Sequence, residues 1–247
     1  AGFEYKKEYI SYSMRGSVER IMTIKLNTVI ESVTNAYESY EFSSVIKTIV
    51  PFITNILSSF YLDFTKDIIY IENKNSFERN SVLSVLYDTL LALLIMLNPI
   101  IPFTTSEAYL ELPYKTKKDV YLEDFPKYEN LEDKVLEDKF LVFFNIREMV
   151  LKQLEEAREQ KIIGKSNQAS LEIHATKEDI DKINSLNIKL EQVLIVSSVK
   201  LVEGENTFVV VYKALGEVCD RCWNVVESVL DNGLCKRCAK ILESRKH

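Results

Sequence analysis

Four cysteines near the C-terminus are the residues whose type and spacing could support chemistry. They form two Cys-x-x-Cys pairs, Cys219 with Cys222 and Cys235 with Cys238, and the chain contains no other cysteine. Two intervening residues let each pair turn tightly and aim both sulfurs at one point, and the Asp-Asn-Gly sequence at 231–233 favours a turn between the pairs. Four thiolates around one point suit the tetrahedral coordination of Zn²⁺. We therefore predict one structural zinc ion bound by all four.

Two other uses of cysteine are compatible with a count of four. Four cysteines in a secreted protein could form two disulfide bonds, and a single Cys-x-x-Cys could be a thioredoxin-like dithiol. The N-terminal residues lack the basic and then apolar layout of a secretion signal. No βαβ pattern surrounds either pair, so the sequence favours zinc over both alternatives.

Nothing in the sequence predicts catalysis within the chain. No Ser/His/Asp set and no paired carboxylates stand out, so we predict no catalytic residue. The Gly164-Lys165-Ser166 sequence resembles the end of a phosphate-binding loop, but Glu159 occupies the position where that motif needs its first glycine. His174 lies alone on a predicted strand, where a packed or exposed histidine is the simpler interpretation.

Basic residues inside the cysteine pairs are candidate RNA contacts. Arg221, Lys236 and Arg237 lie between the predicted ligands, and Trp223 directly follows the second one. Held on a rigid metal core, these cations could meet phosphates while the indole stacks on an unpaired base. The sequence leaves an equal alternative open, in which Trp223 covers the zinc or packs on the adjacent domain.

A second basic series follows the long helix predicted at 131–163. Arg147 falls on the apolar side of that helix, so it must pair with a buried acid or reach a partner. Arg158, Lys161 and Lys165 continue toward the turn at residue 164 and are candidate RNA contacts as well. Glutamates are interleaved with them, which leaves a solvated helix face as an equal alternative.

Composition favours a soluble globular protein. The chain has 247 residues, of which 47% are hydrophobic and 28% charged, and its net charge of −6 confines any polyanion site to a local patch. Residues 82–101 approach the length of about 20 apolar residues that a membrane span needs. Asp88, Asn98 and Pro99 interrupt this segment, so we predict a buried bundle helix, no membrane association and a cytoplasmic protein.

Helical periodicity dominates the first two thirds of the chain. Apolar stripes predict helices at 18–41, 43–65, 104–112 and 131–163. Pro51 should kink the second of these or mark a short preceding turn. A further helix, capped by Ser76 or Asn80, is predicted with one apolar stripe: Val82, Leu86, Leu90, Leu93 and Leu97. Helices of this kind imply an antiparallel bundle.

The pattern changes after residue 164. Alternation predicts a strand at 169–175, Thr176 caps a helix to about residue 190, and strands at 193–202 and 207–212 are expected to form a hairpin through the link at 203–206. The predicted fold is therefore mainly α, with a small α/β unit and a zinc-ribbon or knuckle module. We expect three domains: a helical bundle at 1–163, an α/β domain at 164–215 and a zinc-binding module at 216–247.

The combination of these elements resembles the C-terminal region of bacterial isoleucyl-tRNA synthetases over essentially the whole chain. Residues 36–42, 57–63 and 99–104 are similar to the anticodon-binding domains of class I synthetases generally, including those for valine and leucine. Ile163-Gly164-Lys165-Ser166 is a further matching stretch, and the terminal zinc module, with Cys219 to Trp223, favours the isoleucine type. Two positions depart from the family pattern: Asn167-Gln168 stands where a leucine and an acid are usual, and Phe125 stands where a tryptophan is common.

The resemblance implies a function as well as a fold. It implies that the chain binds the anticodon stem-loop of tRNA(Ile), as a monomer joined to the catalytic core of the same polypeptide. That core would use ATP to activate isoleucine and would attach it to the tRNA. Its HIGH-type and KMSKS sequences are absent here, so the fragment alone should be inactive. The alternatives are the anticodon-binding part of a valine or leucine enzyme, a zinc-finger DNA-repair module, and a zinc-stabilised protein-interaction scaffold.

Overall fold

Residues 3–244 are described by the computed structural model, and their contacts divide the chain into two units. The first unit comprises the residues up to 65 together with 74–132, and the second comprises 66–73 together with the residues from 133 onward. The domain boundaries at 163 and 215 are inferred from changes in the sequence pattern, whereas these two units are defined by contacts. The three-domain division therefore stays a prediction. The last three residues of the predicted zinc module, 245–247, lie outside the described residues.

The first unit is a helix bundle. Helix α2 packs against α3 and α5, and α5 packs against α6. Short 3₁₀ turns occur at Tyr12–Met14 and Val120–Leu122. The bounds of the first six helices, the fourth of which continues into the second unit, are α1 Tyr5–Glu8, α2 Ser17–Glu38, α3 Phe42–Pro51, α4 Asp63–Ile71, α5 Phe77–Leu97 and α6 Pro102–Leu110.

Pro51 changes the helical register rather than ending the helix. A π-helical segment, Phe52–Leu62, follows α3 and leads directly into α4, so residues 42–71 form one helical run. Proline has no N–H and its ring crowds the carbonyl of the preceding turn. A wider turn accommodates that crowding, and this explains why the predicted kink appears as a π segment.

Helix α5 begins where the sequence predicts, but its buried surface is broader than one stripe. The Ser76 side chain accepts a hydrogen bond of 3.2 Å from the Arg79 N–H, which confirms the cap. Leu90, which was expected on the buried stripe, is exposed, whereas Val85 and Thr89 are buried. Apolar residues occur all around this helix, so periodicity could not identify its buried side.

Two helical stretches among the described residues are long and apolar enough to cross a membrane. They are Phe42–Ile71, with mean hydropathy 1.5, and Phe77–Leu97, with mean hydropathy 1.8. In the second stretch 67% of the most apolar window is buried inside the protein. A core helix of a bundle has this character, in agreement with the prediction for residues 82–101.

The second unit joins one long helix to a small sheet. Helix α7 buries an apolar stripe as predicted and contacts β3 and α8. Thr176 caps α8 by accepting a hydrogen bond of 3.2 Å from the Asp179 N–H. The elements are α7 Lys134–Glu159, β1 Ala169–Ala175, α8 Lys177–Ser185, α9 Leu190–Val193, β2 Ser198–Glu203, β3 Phe208–Lys213, β4 Glu217–Val218, β5 Val225–Val226 and α10 Lys236–Ser244.

The predicted hairpin between β2 and β3 is wrong. Strand β1 lies between them, parallel to β2 and antiparallel to β3. The connection at 204–207 therefore crosses over the end of β1, where the Gly204 N–H donates to the Ala175 carbonyl at 2.9 Å. Four extended residues reach about 13 Å, which is enough to span two strand spacings of about 4.8 Å each. A link of this length therefore fits either a hairpin or a crossover. In the crossover both edges of the buried strand β1 are hydrogen-bonded.

Candidate metal centre and neighbouring basic surface

The second unit brings the four cysteine sulfurs together. The Sγ atoms of Cys219, Cys222, Cys235 and Cys238 all lie within 4.8 Å of one another. Those of Cys222 and Cys235 are 3.9 Å apart. None of the four is in a disulfide, and all except Cys222 are buried. A group of four such sulfurs could hold a metal ion.

Backbone hydrogen bonds shape the two turns that carry these sulfurs. In the first turn the Trp223 N–H donates to the Cys219 carbonyl at 2.8 Å, and the Cys219 N–H donates to the Asn224 carbonyl at 3.0 Å. The Cys235 N–H donates to the Cys219 sulfur at 3.2 Å and links the turns. N–H groups aimed at sulfur stabilise a thiolate, so this backbone suits metal ligands.

The turn predicted from residues 231–233 depends on Gly233. Its φ is +74°, a conformation that favours glycine, and a Cβ added there would lie 2.2 Å from a carboxylate oxygen of Asp220. The Asp220 N–H donates to the Gly233 carbonyl at 3.1 Å. Gly233 therefore lets the connection between the two pairs fold back against the first turn.

The pKa values of Cys219, Cys222 and Cys238 are shifted in different directions. Burial raises the pKa of Cys219, but N–H groups of residues 222, 235 and 221 act together to lower that pKa to about 6. Burial raises the pKa of both Cys222 and Cys238, and the charges of neighbouring sulfurs add to the effect. Crowded sulfurs resist losing all their protons together, and a bound cation would offset that repulsion.

Two arginines from the cysteine turns contact residues 66–73. Arg237 donates two hydrogen bonds to the carboxylate of Asp67, at 2.6 and 2.7 Å. Arg221 donates to the Ile71 carbonyl at 2.7 Å, and the Ile71 side chain packs among the cysteines. Both predicted RNA contacts therefore have intramolecular partners, whereas Lys236 is exposed.

Trp223 projects from the first turn into solvent. Its φ is +60°, and 66% of its surface is exposed. The Asn167 side-chain amide donates to the Trp223 carbonyl at 2.7 Å. Ser197 extends this link, because its hydroxyl donates to the Asn167 carbonyl at 2.5 Å and accepts from the Val225 N–H at 3.1 Å. The loop after residue 164 thus holds the tryptophan-bearing turn.

The predicted basic series along α7 is divided between two environments. Arg147 is half-buried within the helix and has an interaction partner. Arg158 pairs with Glu155 and approaches the Ser166 hydroxyl at 3.5 Å. Lys161 and Lys165 are exposed on the turn and loop after the helix.

Sequence reasoning missed three residues near these groups: Asp67, Asn167 and Lys213. Asp67 lies 170 positions from Arg237, and no local pattern could reveal that pairing. Asn167 departs from the pattern of the resembled family, but nothing in the sequence indicates its contact with Trp223. Lys213, the last residue of β3, lines a surface cavity with Arg158 and Lys161.

Comparison with known proteins identifies the family. Residues 19–173 match the model of the anticodon-binding domain of tRNA ligase. The chain belongs to this family. The match covers nearly all of α2, then α3 to α7 and most of β1, and it stops before the cysteines.

Relatives of this family member extend the similarity across the cysteines as well. The isoleucine–tRNA ligase of Acholeplasma laidlawii (strain PG-8A) is 43% identical over 247 residues, which cover 99% of this chain. Those of Onion yellows phytoplasma (strain OY-M) and Bacillus cereus (strain 03BB102) are each 40% identical over 98% of the chain. The chain spans 27–28% of the length of these relatives, and the resemblance to their C-terminal region is confirmed.

Proposed function

We propose that this chain is the tRNA-binding part of an isoleucine–tRNA ligase. It would recognise the anticodon stem-loop of tRNA(Ile) so that the catalytic core of the same polypeptide can attach isoleucine with ATP. The observation that carries the proposal is the similarity along 99% of the chain to a protein named as an isoleucine–tRNA ligase. The match of residues 19–173 to an anticodon-binding domain supports it independently.

Zn²⁺ is the ion that we assign to the four cysteines. Zinc–sulfur bonds of about 2.3 Å hold tetrahedral sulfurs roughly 3.8 Å apart, and the Cys222 and Cys235 sulfurs are 3.9 Å apart. Four thiolate ligands leave no open position for a substrate, so the role would be structural. The ion would hold the two turns together and thereby fix the backbone that carries Trp223.

The surface proposed to face RNA combines an exposed ring with exposed cations. Trp223 offers a face on which an unpaired base could stack, and Lys236 and Lys165 offer charges for phosphates. Lys161 would extend this surface at the end of α7, together with Arg158, which also pairs with Glu155. RNA contacts by Arg147, Arg221 and Arg237 stay predictions, because each of these side chains already has a partner within the protein.

The contribution of the chain to the reaction would be binding energy rather than chemistry. Contacts with the stem-loop would position the distant acceptor end, and a positioned substrate reacts faster than a freely moving one. We expect the complete enzyme to be a cytoplasmic monomer. The net charge of −6 predicts modest affinity that weakens steeply with salt.

A direct test measures binding of the purified chain to labelled anticodon stem-loops at fixed salt by fluorescence anisotropy. We expect the tRNA(Ile) stem-loop to bind more tightly than a stem-loop with a valine or leucine anticodon, and more tightly than a DNA duplex. Preference for a valine or leucine loop would reassign the specificity. Preference for the duplex would favour a DNA-repair module, and no nucleic-acid binding would favour the scaffold.

A further inference from the structure

The second unit has a basic cavity where α7 ends against the sheet. Its volume is about 400 Å³, and its cationic lining residues are Arg158, Lys161 and Lys213. No carboxylate side chain is among the described lining residues, although Arg158 itself pairs with Glu155 on the same helix. The remaining lining residues are Ile162, Ile163, Gly164 and Gln168.

We propose that this cavity binds a backbone phosphate of an unpaired RNA strand, with the attached ribose against Ile162. A volume of about 400 Å³ lies in the range of small-ligand sites, and it suits one sugar-phosphate better than a folded partner. Cations from the end of α7 and from the end of β3 line the cavity, and such cations can contact a phosphate. The inference rests on the proposed function and adds Lys213 and the chemical class of the ligand.

Lys161 occupies the left-handed position at the end of α7. Its φ is +59°, and it lies just after the end of α7, where glycine is the residue of least cost. The Ile162 N–H donates to the Ala157 carbonyl at 2.9 Å and closes the helix around this residue. A lysine costs stability in that conformation, so Lys161→Gly can remove the charge without destabilising the end of the helix.

Hydrogen bonds within the chain hold the loop that borders the cavity. The Gln168 side-chain oxygen accepts hydrogen bonds from the N–H groups of Gly164 and Lys165, at 2.9 and 3.2 Å. Asn167, which precedes Gln168 in the same loop, donates a hydrogen bond to the carbonyl of Trp223. One five-residue loop therefore borders the phosphate cavity and also holds the turn of the exposed indole, so both could engage the same strand.

The test uses Lys161→Gly and Lys213→Gln, alone and combined, with Lys177→Gln on exposed α8 as the charge-matched control. The probe is the labelled tRNA(Ile) stem-loop, titrated at several salt concentrations. We expect each cavity variant to weaken binding on the order of tenfold and to lower the salt slope by about one. Each variant should lose the same factor of affinity for an unpaired RNA of unrelated sequence, because a phosphate contact does not depend on the bases.

Thermal unfolding separates this role from a structural one. Glycine adopts the positive φ of residue 161 at lower cost than lysine. The melting temperature of Lys161→Gly should therefore equal or exceed that of the unaltered chain, while its affinity for RNA falls. Lys161→Arg should restore binding. Cavity variants that bind RNA like the Lys177→Gln control, or that lose affinity for only one loop sequence, would overturn the inference. Failure of the unaltered chain to bind any stem-loop would overturn the proposed function as well.

Discussion

The side-chain amide of Asn167 donates a hydrogen bond of 2.7 Å to the backbone carbonyl of Trp223, 56 positions further along the chain. Asn167 follows the Gly-Lys-Ser sequence, and Trp223 follows the second cysteine. The contact therefore joins the loop after α7 to the metal-binding turns. Its position explains how a tryptophan with φ of +60° can be held while its ring remains exposed.

Asn167→Ala should loosen Trp223 and lower stability by about 1 kcal/mol, because one hydrogen bond between loop and turn is lost. Trp223 is the single tryptophan of the chain, so its fluorescence reports this site alone. We expect lower steady-state anisotropy of the indole emission. Asn206→Ala, in the link between β2 and β3, is the matched control. Anisotropy equal to that of the control would contradict a clamping role for Asn167.

Asp67→Ala should destabilise the second unit by about 1.5 kcal/mol, because Arg237 loses a two-point, charge-assisted contact. Arg237→Lys should cost less, since it keeps the charge but not the paired geometry. Urea unfolding measures both, with Lys236→Ala as an exposed neighbouring control. If Arg237→Lys left stability intact but abolished stem-loop binding, Arg237 would act as an RNA contact and not as a structural link.

The same pair predicts a dependence on pH. Burial tends to raise the pKa of Asp67, but hydrogen bonds from Arg237 and Gln192 lower that pKa below its ordinary value. A carboxylate whose pKa is lower when folded stabilises the protein above the unfolded pKa, and this stabilisation disappears as the pH falls through the folded pKa. The unaltered chain should exceed Asp67→Asn in unfolding free energy by the largest amount at pH 7, and this difference should shrink below about pH 4. Taking the difference cancels any effect of acid on the thiolates, and a difference that grew in acid would refute the assignment.

Metal removal should unfold the cysteine turns. One zinc ion per chain is expected by elemental analysis of the purified protein, and a strong chelator should release it and expose four reactive thiols. Added Zn²⁺ should restore the original circular dichroism. Cys219→Ser should bind zinc more weakly from the start. Thiols found paired as disulfides in the native protein would rule out the zinc assignment.

Gly233→Ala should be costly and Gly204→Ala tolerated. Gly233 has φ of +74° and a carboxylate oxygen of Asp220 only 2.2 Å from the position of an added Cβ. At Gly204 the nearest atom to that position is 3.9 Å away. We expect at least about 1 kcal/mol between the two variants in urea unfolding, together with weaker zinc binding for Gly233→Ala. Equal stabilities would mean that the turn can rearrange freely.

The sequence by itself determined those features whose cause is local. Cysteines two residues apart aim their sulfurs together, and a Ser or Thr before a helical stripe caps its first turn, so Ser76, Thr176 and the cysteine group could all be predicted. The stripe of α7 is also local, because its apolar residues recur at the period of the helix. The family resemblance depends on short segments of the same kind.

Only the tertiary structure decided which distant groups meet. Strand β1 separates β2 from β3 because both flanks of a buried strand must be hydrogen-bonded, and a four-residue link does not encode that order. The pairing of Arg237 with Asp67 leaves no trace in spacing, since the residues are 170 positions apart. Leu90 is exposed on α5 because that helix is apolar all around, and the packing of its neighbours alone selects the side that is buried.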